Sequence, residues 1–240
     1  MTVLVLAGTS DARLLLERLN STDVIASLAG ATRSPAALPC ETRIGGFGGV
    51  DGLRDYLQQA GITAVVDATH PFASQMTQTA ASVCQALDIP HVILQRPEWG
   101  ATDADDWRFV DQIAEIPAII PIGATVFLGT GRQTLDEFRC LEGRKLLARV
   151  IDPPQKPFPH ENGAFLVGTP PFSIDHEVAL FTEKKIDFLV VKNAGGAKSR
   201  SKLDAAAQLG LPVVMINRPK LPVADVVGTV DAALDWVRAL

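Results

Sequence analysis

Cysteine is scarce in this chain of 240 residues, with three in all, Cys40, Cys84 and Cys140. Their number is odd, their spacing is wide and no CxxC pair occurs. Neither a disulfide framework nor a zinc ribbon is indicated, and each cysteine reads as a small buried apolar side chain. Tyrosine is rarer still. The single Tyr56 has Ala60 four residues on, which excludes the Tyr-x-x-x-Lys pair that short-chain dehydrogenases use to polarise a carbonyl. The four histidines fall in no HExxH or other paired-ligand spacing, so no metal is expected. Excess positive charge is also missing. A net charge of −5 argues against a nucleic-acid partner held by a basic face, while leaving room for a local basic pocket. Long apolar runs are absent from the start of the chain. Val3–Ala7, with Asp11 and Arg13 close behind, is too short for a signal peptide or a membrane span. A cytoplasmic protein without a membrane partner is the expectation.

What is present is an ordinary globular composition, 47% hydrophobic and 20% charged, in a chain long enough to bury a sizeable core. Short β-branched runs alternate with helical patterns. Strands are expected at 3–6, 24–28, 42–45, 64–67 and 91–94, with helices at 11–19, 50–60 and 72–87. A second series follows, with strands at 124–128, 145–151, 188–191 and 212–216. Its helices are expected near 133–139, over 177–182 and 202–209, and from 231 to the end. Strands joined by helices of this length predict parallel sheets covered on both faces. The fold class is α/β, with a first lobe at 1–98, a polar connector at 99–119 and a second lobe at 120–240. The last helix is an element that can pack back on the first lobe. The proline-rich stretch Asp152–Gly163 stands apart and reads either as functional or as poorly ordered.

In such sheets ligands bind beyond the carboxyl ends of the strands. The first strand ends in Ala7-Gly8-Thr9-Ser10-Asp11, where free amides and the positive helix end make an anion site. The other reading is a tight turn capped by Ser10 or Asp11. Beyond the second strand, where NAD sites carry an acid, stand Thr32, Arg33 and Ser34. An arginine there suits a ribose 2′-phosphate, hence NADPH. The glycine-rich Gly45-Gly46-Phe47-Gly48-Gly49 turn reads either as a close ligand approach or as a flexible hairpin. Gly46 and Thr69 complete the cofactor-binding set of Gly8, Thr9, Ser10, Asp11, Thr32, Arg33 and Ser34. Of the histidines, His91, His160 and His176 read as structural hydrogen bonders. His70, before Pro71 at the carboxyl edge, reads either that way or as an acid or base.

The run Asp67-Ala68-Thr69-His70-Pro71-Phe72-Ala73 resembles the Asp-Ala-Thr-His-Pro-Phe-Ala signature of the precorrin-6A reductase family. Gly8-Thr9-Ser10-Asp11-Ala12 resembles that family's first turn, usually Gly-Gly-Thr-x-Glu-Ala, with Ala7 and Asp11 as departures. Phe127-Leu128-Gly129-Thr130-Gly131 is similar to the turn opening its second lobe. Val191-Lys192-Asn193-Ala194-Gly195-Gly196, with Lys202-Leu203-Asp204-Ala205-Ala206 and Arg218-Pro219, resembles its last strand-helix-strand unit. There the family often has Ser-Gly where this chain has Ala194-Gly195.

The resemblance implies two Rossmann-like lobes, with the active site in the cleft between them. It implies NADPH-dependent reduction of one double bond of precorrin-6A to give precorrin-6B, in cobalamin biosynthesis. The substrate would be a tetrapyrrole rich in carboxylates, for which Arg132, Lys192 and Arg218 are the expected cationic contacts and Thr130, Gly195 and Gly196 the polar and backbone ones. For Lys198, Arg200 and Lys202 the plain reading is a solvated patch, expected for at least one of them. His70 is one candidate proton donor; water and a readily protonated ring are the others. Alternative readings are a cobalt-precorrin-6A reductase using NADH, a methyltransferase binding S-adenosylmethionine, and a non-catalytic two-lobed ligand-binding protein. A monomer making transient contacts with enzymes of the same pathway is expected.

Overall fold

The computed structural model describes residues 1–19, 23–30 and 37–240, apart from the side chain of Lys198. The chain begins with β1 (Thr2–Leu6), α1 (Ser10–Leu19), β2 (Val24–Leu28), β3 (Glu41–Ile44), α2 (Val50–Gln59), β4 (Ile62–Asp67), α3 (Ser74–Leu87) and β5 (His91–Leu94). It continues with β6 (Trp107–Val110), β7 (Thr125–Leu128), β8 (Lys145–Val150), β9 (Gly163–Val167), α4 (Ile174–Lys184), β10 (Phe188–Lys192), α5 (Ser201–Leu209) and β11 (Val213–Ile216). It ends with β12 (Asp225–Val227) and α6 (Val230–Arg238).

Two compact units result. The first comprises Met1–Pro97 and Pro219–Leu240, and the second Glu98–Arg218. The first unit's sheet has the order β12-β5-β4-β1-β2-β3 and the second's β6-β11-β10-β7-β8-β9. Every pairing in both is parallel. Residues 99–119, expected as a connector, belong to the second unit and carry β6. The chain returns at Pro219 to the first unit, where β12 joins the sheet and α6 packs against α1.

The central strands are apolar on both faces because each face meets helices. Val3, Val5 and Ala7 pack with Leu15 and Leu16 of α1 and Leu234 and Val237 of α6. Leu4 and Leu6 point the other way, into Leu53 and Leu57 of α2 and Ala80 and Val83 of α3. Each such fully buried aliphatic side chain contributes roughly 1.5–3 kcal/mol. In the second unit Phe127, Leu189, Val191 and Met215 pack on one side with Phe181 of α4 and Leu203 of α5.

Several expectations are corrected. Residues 135–141, overlapping the helix expected near 133–139, form a 3₁₀ helix, and α3 begins at Ser74 rather than at Phe72. The strands β6, β9 and β12 were not expected; all three are sheet edges. The proline-rich stretch is tied down. The His160 ring lies 2.7 Å from the Leu135 carbonyl, and Phe158 packs on Phe165 with ring centroids 4.9 Å apart.

Each sheet winds outward from one strand and returns beside it. The first unit runs β1, β2, β3 to one edge and resumes at β4 next to β1. The second runs β7, β8, β9 and resumes at β10 next to β7. The carboxyl ends of β1 and β4, and of β7 and β10, are therefore the switch points where open α/β sheets bind ligands.

Candidate functional site

At the first switch point Gly8 takes φ 127°, a conformation that other residues adopt only with strain, and a Cβ there would meet nothing within 4 Å. The position needs glycine for its backbone and leaves open space above it. Thr9 is the cap, where Ser10 or Asp11 was expected. Its Oγ1 accepts the Ala12 amide at 3.0 Å and donates to the Ala68 carbonyl at 2.8 Å. One hydroxyl thus joins the β1 turn to the β4 turn. Ser10 is exposed. Asp11, expected at the cofactor, accepts from Arg96 at 2.8 Å. Arg96 follows β5, so this ion pair also lies at the carboxyl edge of the sheet.

The β4 turn is built on Asp67. Its side chain is buried, and Oδ1 accepts both the amide and the hydroxyl of Thr69, at 3.0 and 2.6 Å. Thr69 keeps acceptor capacity, but its hydroxyl proton is engaged. His70 is exposed, and its Nδ1 accepts the Phe72 amide at 3.3 Å, which places the neutral ring's proton on Nε2. Behind this turn Asp67 Oδ2 and both ring nitrogens of His91 are buried with no hydrogen-bond partner among the described residues. His91 is therefore not the hydrogen bonder expected. Burial lowers its pKa, against the opposing charges of Asp67 and Asp225.

The glycine-rich turn after β3 is not a loose hairpin. Arg43 donates to Ser27 Oγ at 2.8 Å and to the carbonyls of Gly45 and Gly46 at 2.9 and 3.1 Å. Its guanidinium lies 3.9 Å from the centroid of the Phe47 ring. Gly52 of α2 sits where a Cβ would be 1.8 Å from the Phe47 carbonyl, so the turn packs directly on that helix. Arg43 was missed in the sequence, where nothing marks it. Thr32, Arg33 and Ser34 lie outside the described residues.

At the second switch point Gly129 allows a close approach. A Cβ there would lie 3.0 Å from Val191 and 3.5 Å from the Lys202 stem. Thr130 is buried, and its Oγ1 has no partner among the described residues. Arg132 is exposed. Lys192 is partly buried, and desolvation lowers its pKa, against the charge of Glu137. Gly195 and Gly196 take φ 67° and 82°. Arg218, the third expected cationic contact, follows β11. Its side chain is 6% exposed, and Nε donates to the Asn193 carbonyl at 2.7 Å, 3.8 Å from Glu98.

Lys202 is not part of a solvated patch. Burial pushes its ammonium down to about 8, while Glu177 raises it and Arg149 lowers it further. Its Nζ donates to the Ser199 carbonyl and lies 5.2 Å from the Trp99 ring centroid. Arg149 and Glu177 form a bidentate pair at 2.6 and 2.7 Å, with the guanidinium over the Phe172 and Phe127 rings at 4.1 and 4.8 Å. The signal that could have found this pair is a lone arginine inside the apolar run of β8. Arg200 is engaged with Asp204 at 3.0 Å and Asp105 at 3.8 Å. Of the cysteines only Cys84 is buried. Its thiol is pushed up to about 12 by burial and then by the charge of Asp67, while Cys40 and Cys140 are partly exposed.

Chemically, the first edge offers backbone donors and open space, which suits a phosphate-bearing ligand. The second offers lysines, a buried hydroxyl and glycine backbone, which suits an anion. Among the described residues no cluster of His, Cys, Asp and Glu has the arrangement to hold a metal ion, and no helix is long and apolar enough to cross a membrane.

Residues 2–238 match the family model described as precorrin-6x reductase CbiJ/CobK. The chain is 42% identical to a precorrin-6A reductase of Rhodococcus erythropolis, over 99% of its own length and 98% of the relative's. It is 28% identical to a cobalt-precorrin-6A reductase of Methanothermobacter thermautotrophicus, over 99% of its length and 83% of the relative's. A solved structure of a CobK precorrin-6A reductase superposes with a TM-score of 0.94 at 39% identity, covering 100% of this chain and 97% of that one.

Proposed function

The chain belongs to the precorrin-6x reductase CbiJ/CobK family, and from that membership we propose that it reduces one double bond of precorrin-6A, using NADPH, to give precorrin-6B in cobalamin biosynthesis. The observation that carries the reading is the hydrogen bond from Thr9 to Ala68. It unites the Gly8 turn and the His70 turn at one switch point, where a dinucleotide's phosphates and the signature histidine are both needed.

The residues present suit the cofactor. Gly8 leaves its approach open, and the first turn of α1 presents amides at the positive end of the helix. Arg33, with Thr32 and Ser34, is the proposed contact to the 2′-phosphate. The bound cofactor supplies a hydride equivalent to one carbon of the double bond. The other carbon takes a proton. His70 can donate one from Nε2, since Nδ1 is occupied by the Phe72 amide. On the second unit, Arg132 and Lys192 neutralise substrate carboxylates, and Thr130 and the Gly195-Gly196 backbone supply neutral donors. Arg218 acts on this site through the Asn193 carbonyl rather than by contact. The higher identity to the precorrin-6A reductase, 42% against 28% for the cobalt-precorrin enzyme, favours a cobalt-free substrate. The cytoplasm is the compartment this reading implies.

The test is loss of reduced-nicotinamide absorbance with purified protein, precorrin-6A, and NADPH or NADH. Turnover preferring NADPH, with the preference lost in Arg33→Ala, is expected. Equal rates with the two cofactors in the wild type would remove the 2′-phosphate assignment, and no turnover with either would remove the reductase reading.

A further inference from the structure

The chain enters the second unit at Glu98 and leaves it at Arg218. Both points are bonded to the loop that follows β10. The Trp99 amide donates to Asn193 Oδ1 at 2.9 Å, and the Trp99 indole Nε1 donates to the Gly196 carbonyl at 2.8 Å. Asn193 Nδ2 lies 3.4 Å from both Glu98 Oε2 and the Trp99 carbonyl. Arg218 Nε donates to the Asn193 carbonyl at 2.7 Å. Asn193 is 1% exposed and Trp99 is 7% exposed; the bonds between these two are buried and those to Glu98, Gly196 and Arg218 are partly buried, so leaving one unmade is costly.

The bonds bracket the loop. Asn193 holds its start and the Trp99 indole holds its end. Between Asn193 and the held Gly196 stand Ala194 and Gly195, and both glycines take positive φ, a backbone with large conformational freedom to lose and little side chain to restrain it. The sheet itself ends at Lys192, so none of these polar contacts is required to pair a strand. An amide suits position 193 because it accepts from one group and donates to others, which a carboxylate beside Glu98 could not do.

We propose that Asn193 and Trp99 are positioning residues. They hold the Asn193–Gly196 backbone in the shape that receives a carboxylate of the substrate, and they tie that shape to the two points where the chain enters and leaves the unit. The proposal rests on the reading above that this edge binds the tetrapyrrole. It goes beyond it in assigning the loop's shape to groups that do not touch substrate.

Trp99→Phe is the informative variant, because it keeps an aromatic ring in place and deletes the indole N–H that reaches Gly196. Steady-state kinetics would be measured with precorrin-6A and NADPH varied separately, and amide hydrogen exchange over residues 193–200 would be followed in the ligand-free chain. Loss of one hydrogen bond should raise KM for precorrin-6A about fivefold, with kcat and the NADPH KM held within about twofold, exchange of the loop accelerated and the thermal midpoint lowered by only a few degrees. Asn193→Ala should do the same more strongly; if it does not fold, Trp99→Phe decides alone. Unchanged precorrin-6A KM and unchanged exchange in Trp99→Phe would overturn the proposal. If the wild type does not turn over precorrin-6A, the reductase reading fails separately. The exchange measurement needs no substrate and still decides whether the clamp orders the loop, with faster exchange in its favour and unchanged exchange against it.

Discussion

The Thr9 hydroxyl accepts the Ala12 amide at 3.0 Å and donates to the Ala68 carbonyl at 2.8 Å, so one side chain caps α1 and fastens the ends of β1 and β4 together. Thr9→Ser keeps both bonds and should behave like the wild type. Thr9→Val keeps the shape and loses both. It should lower unfolding free energy by about 1–2 kcal/mol and raise the NADPH KM about tenfold with a smaller change in kcat. Denaturant unfolding and cofactor-varied kinetics check the two effects; equal behaviour of the two variants would remove the fastening role.

Glu177 is 2% exposed and its two oxygens are taken by Arg149. Arg149→Met removes the partner and strands a buried carboxylate, at a cost of about 3–5 kcal/mol. The thermal midpoint should fall by roughly 10 °C. Adding Glu177→Leu to that variant removes the stranded charge and should recover most of the loss. Calorimetry on the single and double variants measures it.

Lys202 carries the clearest pH signature. Its pKa stands at about 8 in the folded chain against 10.5 for a free lysine. Between these values the unfolded chain binds more protons than the folded one, so this residue makes stability rise as pH climbs from about 8 toward 10.5. Below about 8 both states are protonated and the contribution is flat, at its least favourable. Lys202→Met should remove that rise and leave the remaining titrations in place. Thermal midpoints of wild type and variant across this range check it; parallel curves would contradict the burial of the ammonium.

His70 is both a turn-former and the proposed donor, and two variants separate the roles. Asn at 70 can still accept the Phe72 amide, whereas Ala cannot. Loss of kcat by about 10²-fold or more in both would mark an acid. Loss confined to His70→Ala, and appearing in KM, would mark a turn that orients ligands.

The interior of the fold was legible because strands such as β1 and β10 are buried on both faces and read as unbroken apolar runs. The edges were not. In β6 both Arg108 and Phe109 are exposed, and β12 is three residues long, so neither carries the double-faced signature. The span around 133–139 read as an α-helix, yet Leu135, Phe138 and Leu141 recur every three residues, which is the 3₁₀ period. The Gly8 and His70 turns stand out locally in the sequence, and the structure brings them together. Arg43 and Lys202 were not legible because ring contacts and burial leave no mark in the sequence, and the Arg149–Glu177 pair was marked only by the lone arginine in β8. Arg149 and Glu177 stand 28 residues apart, and no local pattern announces their meeting.

The most direct test of the central claim is transfer of label. Purified protein would be given precorrin-6A and NADPH deuterated at the transferring position of the nicotinamide, and the tetrapyrrole product analysed by mass spectrometry. A single deuterium carried from cofactor to a carbon of the macrocycle, with the second hydrogen drawn from solvent, is the predicted result. A product without cofactor deuterium, or a tetrapyrrole bound and recovered unreduced, would contradict it.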